Sequence, residues 1–333
     1  MTSDAPKRLL ERYGRDLQPV DVLRPLGGFG GHSGSRLWRY TSASGERLVR
    51  AWPEAGQRRE RIETIHGWLR EAGDLAFVPL PILALDGRTV QELQGTCWEV
   101  TPWLAGSADA SRPPRVERVR AAFRALGEFH VRLAKDASLG RSPGLILRCE
   151  ELERLTAGGF DKIEADLNSG ADDPCRPTAR EWLSLARRTA PSALGMIREA
   201  SRLASPLQPC LRDARPEHFL FEGDRVTGLV DFGAMDVETV AADLARLLGE
   251  WLPLPAGRQL RAEGIKAYME FKSLNPEHLL LAGAFEAAAD VLIGERWIRW
   301  RFREHRRFDD QMAVADGLTR GLGRLRGLSA RLG

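Results

Sequence analysis

The chain has 333 residues and a mass of 37.0 kDa, enough for about two domains or lobes. Its 43% hydrophobic and 29% charged residues exclude a mainly disordered, collagen-like or low-complexity polymer. Lys and Arg number 49 against 46 Asp and Glu, a formal charge of +3 that is too even to announce a polyanion, so nucleic acid is not an expected partner.

The first residues, MTSDAPKRLLERYGRDL, carry early charges and no apolar core of a signal peptide. The most apolar later stretch, from Leu279 to Gly294, is interrupted by Glu286 and Asp290, so no membrane span is expected. Cys97, Cys149, Cys175 and Cys210 show neither a Cys-x-x-Cys pair nor zinc spacing, which suits reduced thiols and a cytoplasmic protein.

Residues 17–104 read as β-rich: the runs LWRYT, RLVRAW, TVQEL and CWEVTPWL are separated by turn signals such as SASG and LDGR. One helix interrupts them, from Arg58 to Ala72, with Ile62, Ile65, Trp68 and Leu69 on one face. After Gly106 the period lengthens. VERVRAAFRALGEFHVRLA, REWLSLARRTAPSALGMIREA, AADLARLLGEWL and much of 258–329 repeat apolar residues at three and four, so the remainder is expected to be mostly helical. Within it, HFLF and VTGLVDF flank the turn EGDR and predict a hairpin inside 210–233. The segment 167–178 reads as a loop, and Arg296 to Arg331 as one or two amphipathic helices. A hinge at 103–106 then divides a lobe of 1–104, β-sheet plus one helix, from a helical lobe of 105–333, with ligand expected in the cleft between them.

Chemistry concentrates in LRDARPEHFLFEGDRVTGLVDFGAMD, residues 211–236. Asp213 precedes one short strand and Asp231 ends the next, so a hairpin can bring both carboxylates to one mouth. Phosphoryl transfer needs such a pair, one carboxylate to orient an attacking hydroxyl and one to hold the magnesium that neutralises phosphate oxygens. Five glycines between Gly27 and Gly34 form a loop whose backbone N–H groups can approach phosphates, Gly28 and Gly30 among them. That loop is neither a Walker A nor a complete dinucleotide motif.

These residues resemble the protein-kinase-like superfamily and, within it, the aminoglycoside phosphotransferase and choline kinase-like group. The protein-kinase pattern is His-Arg-Asp, four residues and Asn, then Asp-Phe-Gly. The resemblance puts Asp213 on the catalytic Asp, His218 on the usual metal-binding Asn, and Asp231 of Asp231-Phe232-Gly233 on the principal metal ligand. It also puts Asp243 on a structural acid of the helix that follows. ALGEFHVRLA around His130 resembles a further family helix, and WEVTPWLAG the segment joining the lobes.

The resemblance implies an α+β, bilobal protein-kinase-like fold and an enzyme. That enzyme would transfer phosphate from ATP or GTP, with Mg2+, to a hydroxyl of a small-molecule acceptor. A cation is then needed on the third strand; no lysine lies between Lys7 and Lys135, and Arg50 takes the place. Its helix partner is Glu60 or Glu63, with Glu60 preferred. Two departures stand out: Leu211 and Arg212 replace the family's His-Gly before Asp213, and imidazole is a poor ligand for the oxygen-loving magnesium. They motivate an alternative, a catalytically degenerate pseudokinase that acts as a nucleotide-binding or regulatory module. Trp251, Trp297 and Trp300 are candidates for an acceptor pocket or for core.

Overall fold

The computed structural model describes residues 4–26, 34–53, 58–109, 113–169, 172–250, 256–306 and 312–333. These divide into two compact units. The first comprises Met1–Leu133 with Pro216–Asp236, and the second Ala134–Arg215 with Val237–Gly333.

The first unit is built on a five-stranded antiparallel sheet. Its spatial order is Arg24–Pro25, Arg36–Ser42, Gly45–Ala51, Thr96–Pro102, Gln91–Leu93. The four runs expected to be strands are all present. Tyr40, Val49, Ala51, Trp98 and Val100 project from the sheet into a core closed by Leu9, Leu10 and Tyr13 from the N-terminal end of the chain. A helix, Arg59–Glu71, buries Ile62, Ile65, His66 and Leu69. His66 takes a place on the buried face, whereas Trp68 is only half-buried beneath Arg61. The expected hairpin is formed by Phe219–Glu222 and Arg225–Leu229, with Gly223 at φ 60° in its turn, a conformation that glycine adopts without strain. The hairpin belongs to this unit, as does the helix Val116–Arg132.

The second unit is mostly helical, as the longer apolar period predicts. Helices Pro143–Arg154, Arg176–Ala200, Ala241–Gly249, Pro276–Ile298 and Ala313–Leu332 share one core in which Trp182, Ile197, Leu281, Val291 and Leu325 are buried. Close approach of these helices uses two glycines. A Cβ on Gly294 would stand 2.2 Å from the Trp182 indole nitrogen, and one on Gly317 would stand 2.2 Å from the Trp297 ring. Trp297 is therefore core, with Trp300 packed edge-on against it at 5.2 Å, while Trp251 lies outside the described residues.

A three-stranded sheet of Asp236–Glu238, Ala204–Cys210 and Ser138–Arg141 was not expected. Pro206 and Pro209 disguise its central strand, because proline donates no ladder hydrogen bond and reads as a breaker. All four cysteines are free, and no helix among the described residues is long and apolar enough to cross a membrane.

Candidate active site

Arg50 lies on the strand Gly45–Ala51, and the antiparallel register sets it directly opposite Glu99. Its guanidinium is 3.9 Å from the Glu99 carboxylate through Nη1 and 3.3 Å from Asp231 Oδ1 through Nη2. It donates from Nε to Ser35 Oγ at 3.4 Å and lies over the Trp52 ring, 4.2 Å from the centroid. Stacking on the indole and pairing with two carboxylates fix a long side chain that would otherwise sample many rotamers.

Glu99 is buried and highly connected. It accepts from Trp52 Nε1 at 3.1 Å and stands 2.7 Å from His66 Nε2; the other ring nitrogen of His66 is 2.7 Å from Thr89 Oγ1. An ionised carboxylate only accepts, so His66 Nε2 carries the proton in that bond. Burial works against the charged form of Glu99, yet the His66 hydrogen bond and the neighbouring His66 and Arg50 hold its carboxyl below the usual range.

The acid that partners Arg50 thus comes from the adjacent strand rather than from the helix. Glu60, the preferred partner, is exposed on the helix and is not among the ion pairs of Arg50; Glu63 pairs instead with Arg59 at 2.8 Å. The helix reaches Arg50 indirectly, through His66 and Glu99 and through Ile62 packed with Trp52. The physical reason is that Glu99 shares a cross-strand pair with Arg50, whereas Glu60 sits on the solvent side of its helix.

Asp231 follows the hairpin and adopts a left-handed backbone, φ 63° and ψ 63°. For a residue with a Cβ this costs on the order of 1–2 kcal/mol, and such strain clusters at functional sites. Its second oxygen is 3.6 Å from His218 Nε2, and the carbonyl of His218 accepts from the amide of the preceding residue, Val230, at 3.0 Å, which holds the two segments side by side. Phe232 is buried, its ring 6.1 Å from that of Phe129. Gly233 faces Trp52, where a Cβ would stand 3.3 Å from the indole.

The first unit therefore brings together three of the sequence-derived candidates, Arg50, His218 and Asp231. Gly28 and Gly30 lie outside the described residues. A half-exposed carboxylate at Asp231 suits a magnesium ion, which takes one or two protein carboxylates and completes its shell with water and phosphate oxygens. The imidazole of His218 suits it less.

Asp213 falls in the second unit. The segment leading to it is held by Asp243, a fully buried carboxylate on the helix Ala241–Gly249 that accepts from the backbone amides of Leu211 at 2.7 Å and Arg212 at 2.6 Å. Arg212 is left-handed at φ 61°, the conformation that a glycine there would adopt freely. Arg246, one turn along from Asp243, donates from Nε to Asp213 Oδ1 at 2.8 Å and from Nη1 to Glu250. Burial disfavours the charge on Arg246, but Glu250 and Asp213 raise its pKa above the ordinary arginine value.

Glu99, His66 and Arg246 were missed in the sequence. A faint signal exists for Glu99, a lone charge inside the apolar run CWEVTPWL. His66 and Arg246 look like ordinary polar residues of amphipathic helices.

Residues 23–277 match the phosphotransferase enzyme family. A homoserine kinase from Brucella anthropi is 29% identical over 240 residues; the match covers 72% of this chain and 65% of that protein, so the chain spans just under two thirds of the curated relative's length. Among solved structures, an aminoglycoside phosphotransferase from Alicyclobacillus acidocaldarius shares the fold at a TM-score of 0.71 and 16% identity, over 100% of this chain and 96% of that one. An amicoumacin kinase solved with AMP-PNP, Ca2+ and Ami does so at a TM-score of 0.63 and 12% identity, over 98% of this chain and 92% of that one. The protein-kinase-like α+β fold expected from the sequence is borne out, and the chain belongs to the phosphotransferase enzyme family.

Proposed function

We propose that the protein is a small-molecule kinase, transferring the terminal phosphoryl group of ATP or GTP to a hydroxyl of its acceptor. The observation that carries the proposal is the setting of Asp231, a left-handed Asp-Phe-Gly aspartate held between the Arg50 guanidinium and the His218 ring. Family membership and the kinase relatives support it. The pseudokinase alternative, motivated by His218 and the lost His-Gly, gains nothing from these relatives.

In this reading Arg50 holds phosphate oxygens of the nucleotide, assisted by Gly28 and Gly30, and Glu99 rather than Glu60 orients it. Asp231 would hold Mg2+, with His218 positioning its carboxylate; the ion, when bound, neutralises charge on the phosphates. Asp213 accepts the acceptor's proton as its oxygen bonds to the terminal phosphorus. The bond from that phosphorus to the bridging oxygen breaks, and the nucleoside diphosphate leaves with the electron pair. Arg246 fixes the rotamer of Asp213.

Asp213→Asn tests the assignment, because the amide cannot take up the proton. Turnover should fall by roughly 10² or more while nucleotide affinity, read by calorimetry, stays within about twofold. An unchanged rate would remove Asp213 from the role.

A further inference from the structure

The second unit contains a small open pocket with four arginines on its wall: Arg148, Arg212, Arg246 and Arg324. Phe285 and Glu238 complete its polar and aromatic lining. Most of the charges are matched. Arg324 donates to Asp290 at 2.7 Å, and Arg246 is engaged by Asp213 and Glu250. Glu238 is committed to its own loop, accepting from Ser142 Oγ at 2.6 Å, Gly144 N at 2.7 Å and Thr239 N at 2.9 Å.

Arg148 is different. It donates to the Gly144 carbonyl at 3.0 Å and lies over the Phe285 ring at 4.9 Å, but among the described residues it has no carboxylate within 4.0 Å. Burial first, and then the charge of Arg212, pull its pKa below the ordinary arginine value, and the more distant carboxylates of Glu238 and Glu151 offset this only in part. A guanidinium so placed has no carboxylate in direct contact among the described residues, and an anion is the ligand that would supply one.

The position of the pocket gives the anion a meaning. Arg212 adjoins Asp213 in sequence, and Arg246 lines the pocket while bonding to Asp213. Resting on the kinase reading above, we infer that this pocket binds a carboxylate of the acceptor against Arg148 and Arg212. The acceptor is then a short hydroxylated carboxylic acid whose hydroxyl reaches Asp213. A guanidinium offers two parallel N–H donors to a carboxylate, and the same wall repels a polycationic acceptor.

The test uses the full chain and matched probes: a panel of three- to six-carbon hydroxy acids and hydroxy amino acids, each beside its neutral amide. Binding is read by calorimetry and phosphorylation by product detection with ATP and Mg2+. At least one acid should bind saturably in the millimolar range or tighter and be preferred over its amide by roughly ten- to a hundred-fold, the worth of a charge-assisted hydrogen bond. Arg148→Gln should erase that preference while leaving nucleotide affinity unchanged. Arg212→Gly should also weaken acid binding without lowering the melting temperature, since glycine relieves the left-handed backbone; this separates ligand loss from misfolding.

Equal binding of acids and amides, no saturable binding of any acid, or a preference that survives both substitutions would overturn the inference. Acid binding lost in Arg148→Gln but without any phosphorylation would keep the subsite and sink the kinase reading. Phosphorylation of amides or amines alone would do the reverse.

Discussion

Replacing Asp243 probes how the segment bearing Asp213 is held. The carboxylate accepts two short backbone hydrogen bonds, from Leu211 and Arg212, in a fully buried setting. In Asp243→Ala both amides lose their partner, at about 1–3 kcal/mol each, while the variant escapes the desolvation of a buried charge. A net loss of about 2–4 kcal/mol follows, which a protein of ordinary stability survives. Asp243→Asn keeps one acceptor oxygen but turns an NH2 group toward the other amide, so it should be destabilised by roughly half as much.

The consequence for chemistry is larger than for stability. Without its bond to Asp243, the Arg212 amide no longer helps to hold a left-handed residue, and the neighbouring Asp213 can shift. A displacement near 1 Å can cost about 10² in rate. Urea unfolding should therefore show a lowered midpoint at unchanged slope, and steady-state assays a turnover loss that exceeds what the unfolded fraction explains. An Asp243→Ala protein within about 0.5 kcal/mol of the parent would refute the hydrogen-bond argument. One destabilised as expected but fully active would refute the link to Asp213.

Three further outcomes are expected. Glu99 is held below the ordinary value of 4.5, so the unfolded chain binds the extra proton. Its stabilising contribution is present above that pH and disappears as the pH falls through the lower folded value; Glu99→Gln should flatten this acid limb in pH-dependent denaturation, and an unchanged limb would exclude Glu99 as a source. Asp231→Asn should raise the Mg2+ concentration needed for half-maximal rate by roughly tenfold or more, and an unaltered metal dependence would remove Asp231 as a ligand. Two glycines of the helix Pro276–Ile298 should respond in opposite directions. Gly294→Ala collides with Trp182 and should lose about 1–3 kcal/mol, whereas Gly283→Ala meets nothing within 4 Å and should gain up to about 1 kcal/mol, both read as shifts in melting temperature.

How much of this was legible in advance varies with the range of the interaction. Strands such as Arg36–Ser42 and helices such as Val116–Arg132 follow from two- and 3.6-residue periods, because each residue's environment repeats along a short stretch of chain. The strand Ala204–Cys210 escaped because its prolines carry the local signature of a breaker, and only its neighbours make it a strand. At the candidate site, the resemblance pointed to Arg50, Asp213, His218 and Asp231, and the fold brings Arg50, His218 and Asp231 together. The acid beside Arg50 was misassigned because proximity in a helix is easier to read than a register between strands.

The amino-acid sequence by itself determined the class of fold, the order of most of its elements, and the aspartates proposed for the site, since these are written in local periodicity and in a motif of fixed spacing. Only the tertiary structure decided what those residues touch. Arg50 meets Asp231 across 181 positions, Arg246 meets Asp213 across 33, and Arg148 joins Arg212 on the wall of one pocket. Such meetings depend on where a packed core places distant backbone, and no short window of sequence contains that information.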